Sequence, residues 1–95
     1  MEFEKRLKVV ITGASGHIAY HLYDSICNGS IFGENTIIDL VLNSPPECKN
    51  YLLGIKMELE DMGFPLLNTI TISLDDETAF IEADLAIFLG SFPMK

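Results

Sequence analysis

Leu7-Lys8-Val9-Val10-Ile11-Thr12-Gly13-Ala14-Ser15-Gly16-His17-Ile18-Ala19 is the stretch whose reading decides the fold. Leu7 to Thr12 is a short β-branched run ending at glycine, the pattern of a strand covered on both faces by helices. From Gly16 onward, Ile18, Ala19, Leu22, Ser25 and Ile26 recur at helical spacing until Asn28-Gly29 supplies a stop, which predicts a helix over Gly16 to Cys27. The first N–H groups of such a helix have no intrahelical partners, so an anion placed there is stabilised. Gly13 permits a turn that a Cβ would obstruct, Gly16 lets the backbone approach a pyrophosphate, and small Ala19 allows close helix-to-strand contact. The spacing Gly-x-x-Gly-x-x-Ala departs from the commoner Gly-x-Gly-x-x-Gly. The strand before it and the helix after it nevertheless supply the context that favours a phosphate site over a structural αβ turn. A triphosphate loop is excluded, because no Gly-Lys-Ser or Gly-Lys-Thr follows. The candidate phosphate site is therefore Gly13, Ala14, Ser15, Gly16, His17, Ile18 and Ala19.

Outward from this turn, strand and helix patterns alternate. Ile37 to Leu42 reads as a second strand, punctuated by Asn43-Ser44-Pro45-Pro46. Ser44 is placed to cap and a proline suits a first helical turn, so a second helix is expected from about Pro46 to Met62, with Leu52, Ile55, Leu59 and Met62 inward. Gly63 and Pro65 end it. Ile70 to Leu74 is a third strand, Asp75 to Glu82 a helical turn, and Leu85 to Leu89 a fourth strand that is apolar throughout. Right-handed crossovers place these four strands in one parallel sheet with helices on its faces, a three-layer α/β fold of Rossmann type. A chain of 95 residues has interior for one core only.

Composition narrows the partners. Six basic residues against fourteen acidic ones give a net charge of −8, which argues against nucleic acid, whose recognition rests on Lys and Arg neutralising phosphates. No run approaches the length needed to cross a bilayer, and Met1 to Arg6 is not followed by an apolar signal core, so a soluble cytoplasmic protein is expected. Cys27 and Cys48 show no framework or Cys-x-x-Cys spacing and read as two reduced thiols. Cys27 lacks the positive surroundings that lower a thiol pKa and is not read as a nucleophile. His17 and His21 stand four apart on the first helix, but no third ligand follows at useful spacing, so no metal site is assigned. The acids Asp75-Asp76-Glu77 suit a helix N-terminus and Glu58, Glu60 and Asp61 a solvated helix face. Met57 and Met62 are expected as core filler.

Thr12 to Ile18 resembles two groups equally: the cytosolic-type malate dehydrogenases and the NAD(P)-dependent epimerases and reductases of the short-chain superfamily. Asn28-Gly29-Ser30-Ile31-Phe32-Gly33, Met57 to Asp61, Phe64 to Leu67 and Gly90-Ser91-Phe92-Pro93 resemble malate dehydrogenase in order and without gaps. The resemblance runs from Lys8 to Lys95 but spans only the first four strands of that family. It implies that residues 1–95 are the N-terminal portion of a dinucleotide-binding Rossmann domain, with the catalytic and substrate-binding domain absent. It also implies NAD as cofactor, with its pyrophosphate on Gly13 to Ala19 and Gly90 and Ser91 lining it after the fourth strand. No catalytic residue is carried over, since the family's histidine, aspartate and further substrate arginines lie downstream.

Two positions depart from the family. The acidic residue that grips the adenosine ribose corresponds to Ser44, which implies weaker NAD binding or tolerance of the 2′-phosphate of NADP. The arginine that follows the loop proline corresponds to Met94, and Lys95 is at best a point-charge substitute. These departures keep open a non-catalytic nucleotide-binding paralogue, alongside an epimerase- or reductase-like domain. Full-length relatives are homodimeric by this resemblance. For residues 1–95 alone, the apolar strand Leu85 to Leu89 is expected to form an open edge that favours self-association or aggregation.

Overall fold

Parallel pairing of β1 (Lys5–Thr12) and β2 (Thr36–Asn43) over all eight residues of each strand forms the centre of the molecule. The structure is a computed structural model that describes residues 5–13 and 17–88. Between β1 and β2 lies α1 (His17–Cys27), after them α2 (Lys49–Met62), β3 (Leu67–Ser73), α3 (Asp76–Ala79) and β4 (Leu85–Phe88). The four strands form one parallel sheet in the order β3-β2-β1-β4. This is the expected Rossmann-type α/β sheet.

Alternation along the strands assigns the two faces. Val9 and Ile11 of β1 and Ile38, Leu40 and Leu42 of β2 point to one side, where Tyr23, Ile26 and Cys27 of α1 and Leu52, Ile55 and Leu59 of α2 close a core of buried residues. Val10 and Val41 point to the other side and meet Ala79 of α3, with Phe80, Ala83 and Ala86 packed around them. Central strands built from such residues need cover on both sides, because each fully buried aliphatic side chain contributes about 1.5–3 kcal/mol only when water is excluded.

The expected burial of β1 on both faces holds only towards its carboxyl end. Near the amino end the second face is polar. Asp39 sits mid-strand in β2, and its carboxylate accepts from Arg6 Nε of β1 at 2.7 Å, Asn68 Nδ2 at 2.9 Å and Thr69 Oγ1 of β3 at 2.8 Å. One carboxylate thus fastens three neighbouring strands. The same contacts explain why β3 starts at Leu67 and not at the expected Ile70. Asn68 and Thr69 bond to Asp39, the Ile38 N–H donates to the Leu66 carbonyl at 2.8 Å, and the register shifts between Ile38 and Asp39.

Helix boundaries follow local chemistry. The expected second helix begins as a 3-10 turn, Pro46–Cys48, and becomes α-helical at Lys49. Ser44 does not cap it, since the N-cap position is Pro45 and no side chain caps the turn. Gly63 ends α2 in the left-handed conformation at φ 67°, the usual helix stop. Leu52, Ile55 and Leu59 are buried as expected, but Met62 is 58% exposed and Met57 63% exposed, so neither methionine fills the core. Met62 stands in the last turn, beyond the end of the sheet-facing stripe. Asp75 caps α3 by accepting from the Thr78 N–H and hydroxyl.

Burial acts to raise the Asp39 pKa, but hydrogen bonds from Arg6, Asn68 and Thr69 and the Arg6 charge outweigh it and leave the group below its ordinary 3.8. A carboxyl depressed on folding adds stability that is present above its unfolded value and lost as pH falls through the folded one. Asp39→Asn is therefore expected to lower stability at neutral pH by about 1 kcal/mol. The deficit should shrink below pH 4, where the native chain loses the same contribution, and urea titrations at the two pH values measure both.

Candidate dinucleotide-phosphate site

The carboxyl ends of the four strands form one row. Register aligns Phe88, Thr12, Asn43 and Ser73 across β4, β1, β2 and β3. One residue further on, Gly13 leaves β1 and Ser44 leaves β2, so two positions separated by thirty residues of sequence become neighbours. Gly13 has φ +78°, a conformation that L side chains rarely adopt. Its N–H donates to the Asn43 carbonyl at 3.1 Å, extending the β1–β2 ladder by one bond before the chain turns towards α1 at His17. On the other side, Thr12 Oγ1 donates to the Ile87 carbonyl at 3.3 Å and ties β1 to β4.

The chain runs outward from β1 through β2 to β3 and then returns to the far side of β1 as β4. Strand order therefore reverses between β1 and β4, with α1 and α2 packed on one face and α3 on the other. In open α/β sheets ligands bind in the crevice outside the carboxyl ends at such a reversal. The Gly13 turn lies there, and α1 carries no acidic residue in its first turn to compete with an anion.

Of the sequence-derived site residues, Gly13 and Ser44 are brought together, and His17, Ile18 and Ala19 form the first turn of α1. Ala14, Ser15, Gly16, Gly90, Ser91, Met94 and Lys95 lie outside the described residues. Ser44 is 5% exposed, and its Oγ has no hydrogen-bond partner among the described residues. Of the nearby acids, Asp39 is engaged with Arg6 and Glu47 is exposed on the 3-10 turn. Sequence reasoning missed Asn43, Thr12 and Ser73 as parts of this edge. Asn43 and Ser73 are buried polar residues, and a polar residue ending an apolar strand run was the available signal.

The remaining reactive groups sit elsewhere. Burial, with a smaller effect from Asp24, pushes the Cys27 thiol up to about 12, so it stays protonated. Burial also raises the Tyr23 hydroxyl, helped by Tyr51 and Cys27. An open hollow lined by Leu59, Gly63, Phe64, Leu67 and Thr69 lies at the amino end of β3, away from the strand row. Among the described residues no cluster of His, Cys, Asp and Glu is placed to hold a metal, and no helix is long and apolar enough to cross a membrane.

Two substitutions separate backbone from side-chain roles at the edge. Gly13→Ala forces a Cβ into the left-handed region and is expected to cost about 1–2 kcal/mol. Ser44→Ala removes a buried hydroxyl that has no partner among the described residues and is expected to leave stability unchanged or raise it by about 1 kcal/mol. Urea midpoints measure both effects.

No family model matches the chain. Cytoplasmic malate dehydrogenase of Bos taurus is 43% identical over 89 residues, which are 94% of this chain and 27% of that protein. The crystal structure of malate dehydrogenase from Naegleria fowleri superposes with a TM-score of 0.94 at 39% identity, over 99% of this chain and 29% of that one. Lactate dehydrogenase of Trichomonas vaginalis, solved in complex with NADH and oxamate, matches with a TM-score of 0.84 at 36% identity, over 94% of this chain and 27% of that one. The chain thus spans about a quarter of the length of the relatives it matches. Over that span its sequence is similar to the malate dehydrogenases and its fold matches the corresponding part of theirs.

Proposed function

We propose that the chain binds the pyrophosphate of a nicotinamide dinucleotide at the turn opened by Gly13, as the cofactor-binding segment of a malate dehydrogenase-like oxidoreductase. The observation that carries this reading is the left-handed Gly13, bonded to the end of β2 and leading into α1 at the strand-order reversal. The complex of a homologous lactate dehydrogenase with NADH supports it. Backbone N–H groups of Ala14 to Ala19 would hold the diphosphate, and Gly90 and Ser91 would line the cofactor beyond β4. The bound nicotinamide supplies hydride transfer, which in the complete protein interconverts malate and oxaloacetate.

Ser44 shapes the adenosine end. It has no carboxylate to grip the ribose diol or to repel a 2′-phosphate, so NADP is tolerated beside NAD. Together with Met94 at the substrate-arginine position, this favours a second reading, a paralogue that binds nucleotide without catalysis.

Isothermal calorimetry of the 95-residue chain with NAD, NADP and ADP-ribose tests the proposal. Heat with all three and little discrimination between NAD and NADP is the expected result, and no heat at millimolar ligand overturns it. Ser44→Asp is expected to shift preference towards NAD by about 2 kcal/mol. No malate oxidation is expected from these residues alone, because the general acid-base for the substrate oxygen is not among them; steady-state assays check that. Among the described residues β4 pairs with β1 alone, and its other edge is proposed to drive self-association, seen as a rise in light-scattering mass with concentration.

A further inference from the structure

We propose that Asn28 is a site of spontaneous deamidation, set up by the loop that follows α1. Asn28 is exposed directly after the last residue of α1, and Gly29 follows it at φ +93°. Three features converge on its side-chain carbonyl. Gly29 has no side chain to obstruct attack by its own backbone nitrogen. The Gly29 N–H donates to no group among the described residues, whereas the neighbouring Asn28, Ile31 and Gly33 N–H groups donate to Asp24, Ser25 and Gly29 carbonyls. Lastly, the Ser30 N–H donates to Asn28 Oδ1 at 2.8 Å. This Asx turn holds the side-chain carbonyl over the Gly29–Ser30 backbone. It also withdraws electron density from Cγ and stabilises negative charge developing on Oδ1.

The step balances without an added reagent other than water. The Gly29 nitrogen attacks Asn28 Cγ, the Cγ–Nδ2 bond breaks, and the proton from Gly29 leaves with Nδ2 as ammonia. Water then opens the five-membered imide at either carbonyl, giving aspartate or isoaspartate at position 28. Both products add a negative charge at the C-terminal end of α1, where the helix dipole is unfavourable, the last turn has no basic residue and Asp24 lies one turn back. Isoaspartate also lengthens the backbone beside Gly29. A Cβ added there would already stand 3.2 Å from Leu66 Cδ1 and 3.3 Å from Glu34 Cα.

The chain carries its own controls, because Asn35, Asn43, Asn50 and Asn68 are followed by Thr, Ser, Tyr and Thr. Peptide mapping by mass spectrometry, with isoaspartyl labelling, of the folded chain held at neutral pH follows all five sites in one sample. Conversion at Asn28 is expected several-fold ahead of the other four, and at least as fast in the folded chain as in the same chain in denaturant. Asn28→Gln should abolish it, and Ser30→Pro, which removes the N–H donor and keeps Gly29, should slow it. If the proline variant does not fold, the folded-against-denatured comparison decides alone. Conversion at Asn28 no faster than at Asn35, or slower in the folded chain than in denaturant, overturns the proposal.

Discussion

A single hydrogen bond, from the left-handed Gly13 to the Asn43 carbonyl, closes the β1–β2 ladder at its carboxyl end. Everything that positions the candidate site depends on that ladder. Its register sets Thr12 beside Asn43, and the next residue on each strand is then a member of the site. Slipping the pair by one residue would carry Val9, Ile11, Leu40 and Leu42 to the opposite face, away from α1 and α2. The core therefore enforces the register, and the register places Gly13 against the end of β2. Stability and site geometry share one constraint.

The two faces of the sheet carry this constraint unequally. α1 and α2 cover the middle of one face, over Val9, Ile11, Ile38, Leu40 and Leu42, whereas α3 is a four-residue helix that meets the other at Val10 and Val41. Where that cover stops, Asp39 and its three donors take over, replacing packing with hydrogen bonds across β1, β2 and β3. The arrangement leaves the second face apolar in the middle, at Val10 and Val41, and polar towards the amino ends of the strands. Lys8 extends it towards β4, since its Nζ donates to the Ile81 carbonyl and its N–H to Asp84.

Much of this was legible in the order of residues. β-branched runs ending in Gly or Asn marked β1 and β2, and Gly63 marked the end of α2, because these signals act within a few residues of where they stand. Signals that act across the sheet were not legible. Asn68 and Thr69 lie before the strand expected from Ile70, yet Asp39, some thirty residues earlier, makes them strand. Met62 fitted the helical stripe of Leu52, Ile55 and Leu59, but a stripe does not say where the sheet beneath it ends. At the site, the glycines of the turn were readable one by one. The adjacency of Gly13 and Ser44 was not, because it arises from register, and register is a property of two strands together.

The same division orders the chemistry of the proposed cofactor site. Pyrophosphate recognition would draw on backbone N–H groups and a helix N-terminus, which any sequence able to make the turn presents. Ribose recognition would need a side chain of the right charge at the end of β2, and a buried serine with no partner among the described residues stands there. Backbone contacts survive substitution and side-chain contacts do not, so affinity for a dinucleotide and discrimination between dinucleotides are separable in this fold. In the proposed site Gly13 would bear on the first and Ser44 on the second. Because they share one edge of one strand pair, a change of charge at Ser44 would alter the proposed specificity without disturbing the turn proposed to hold the phosphates.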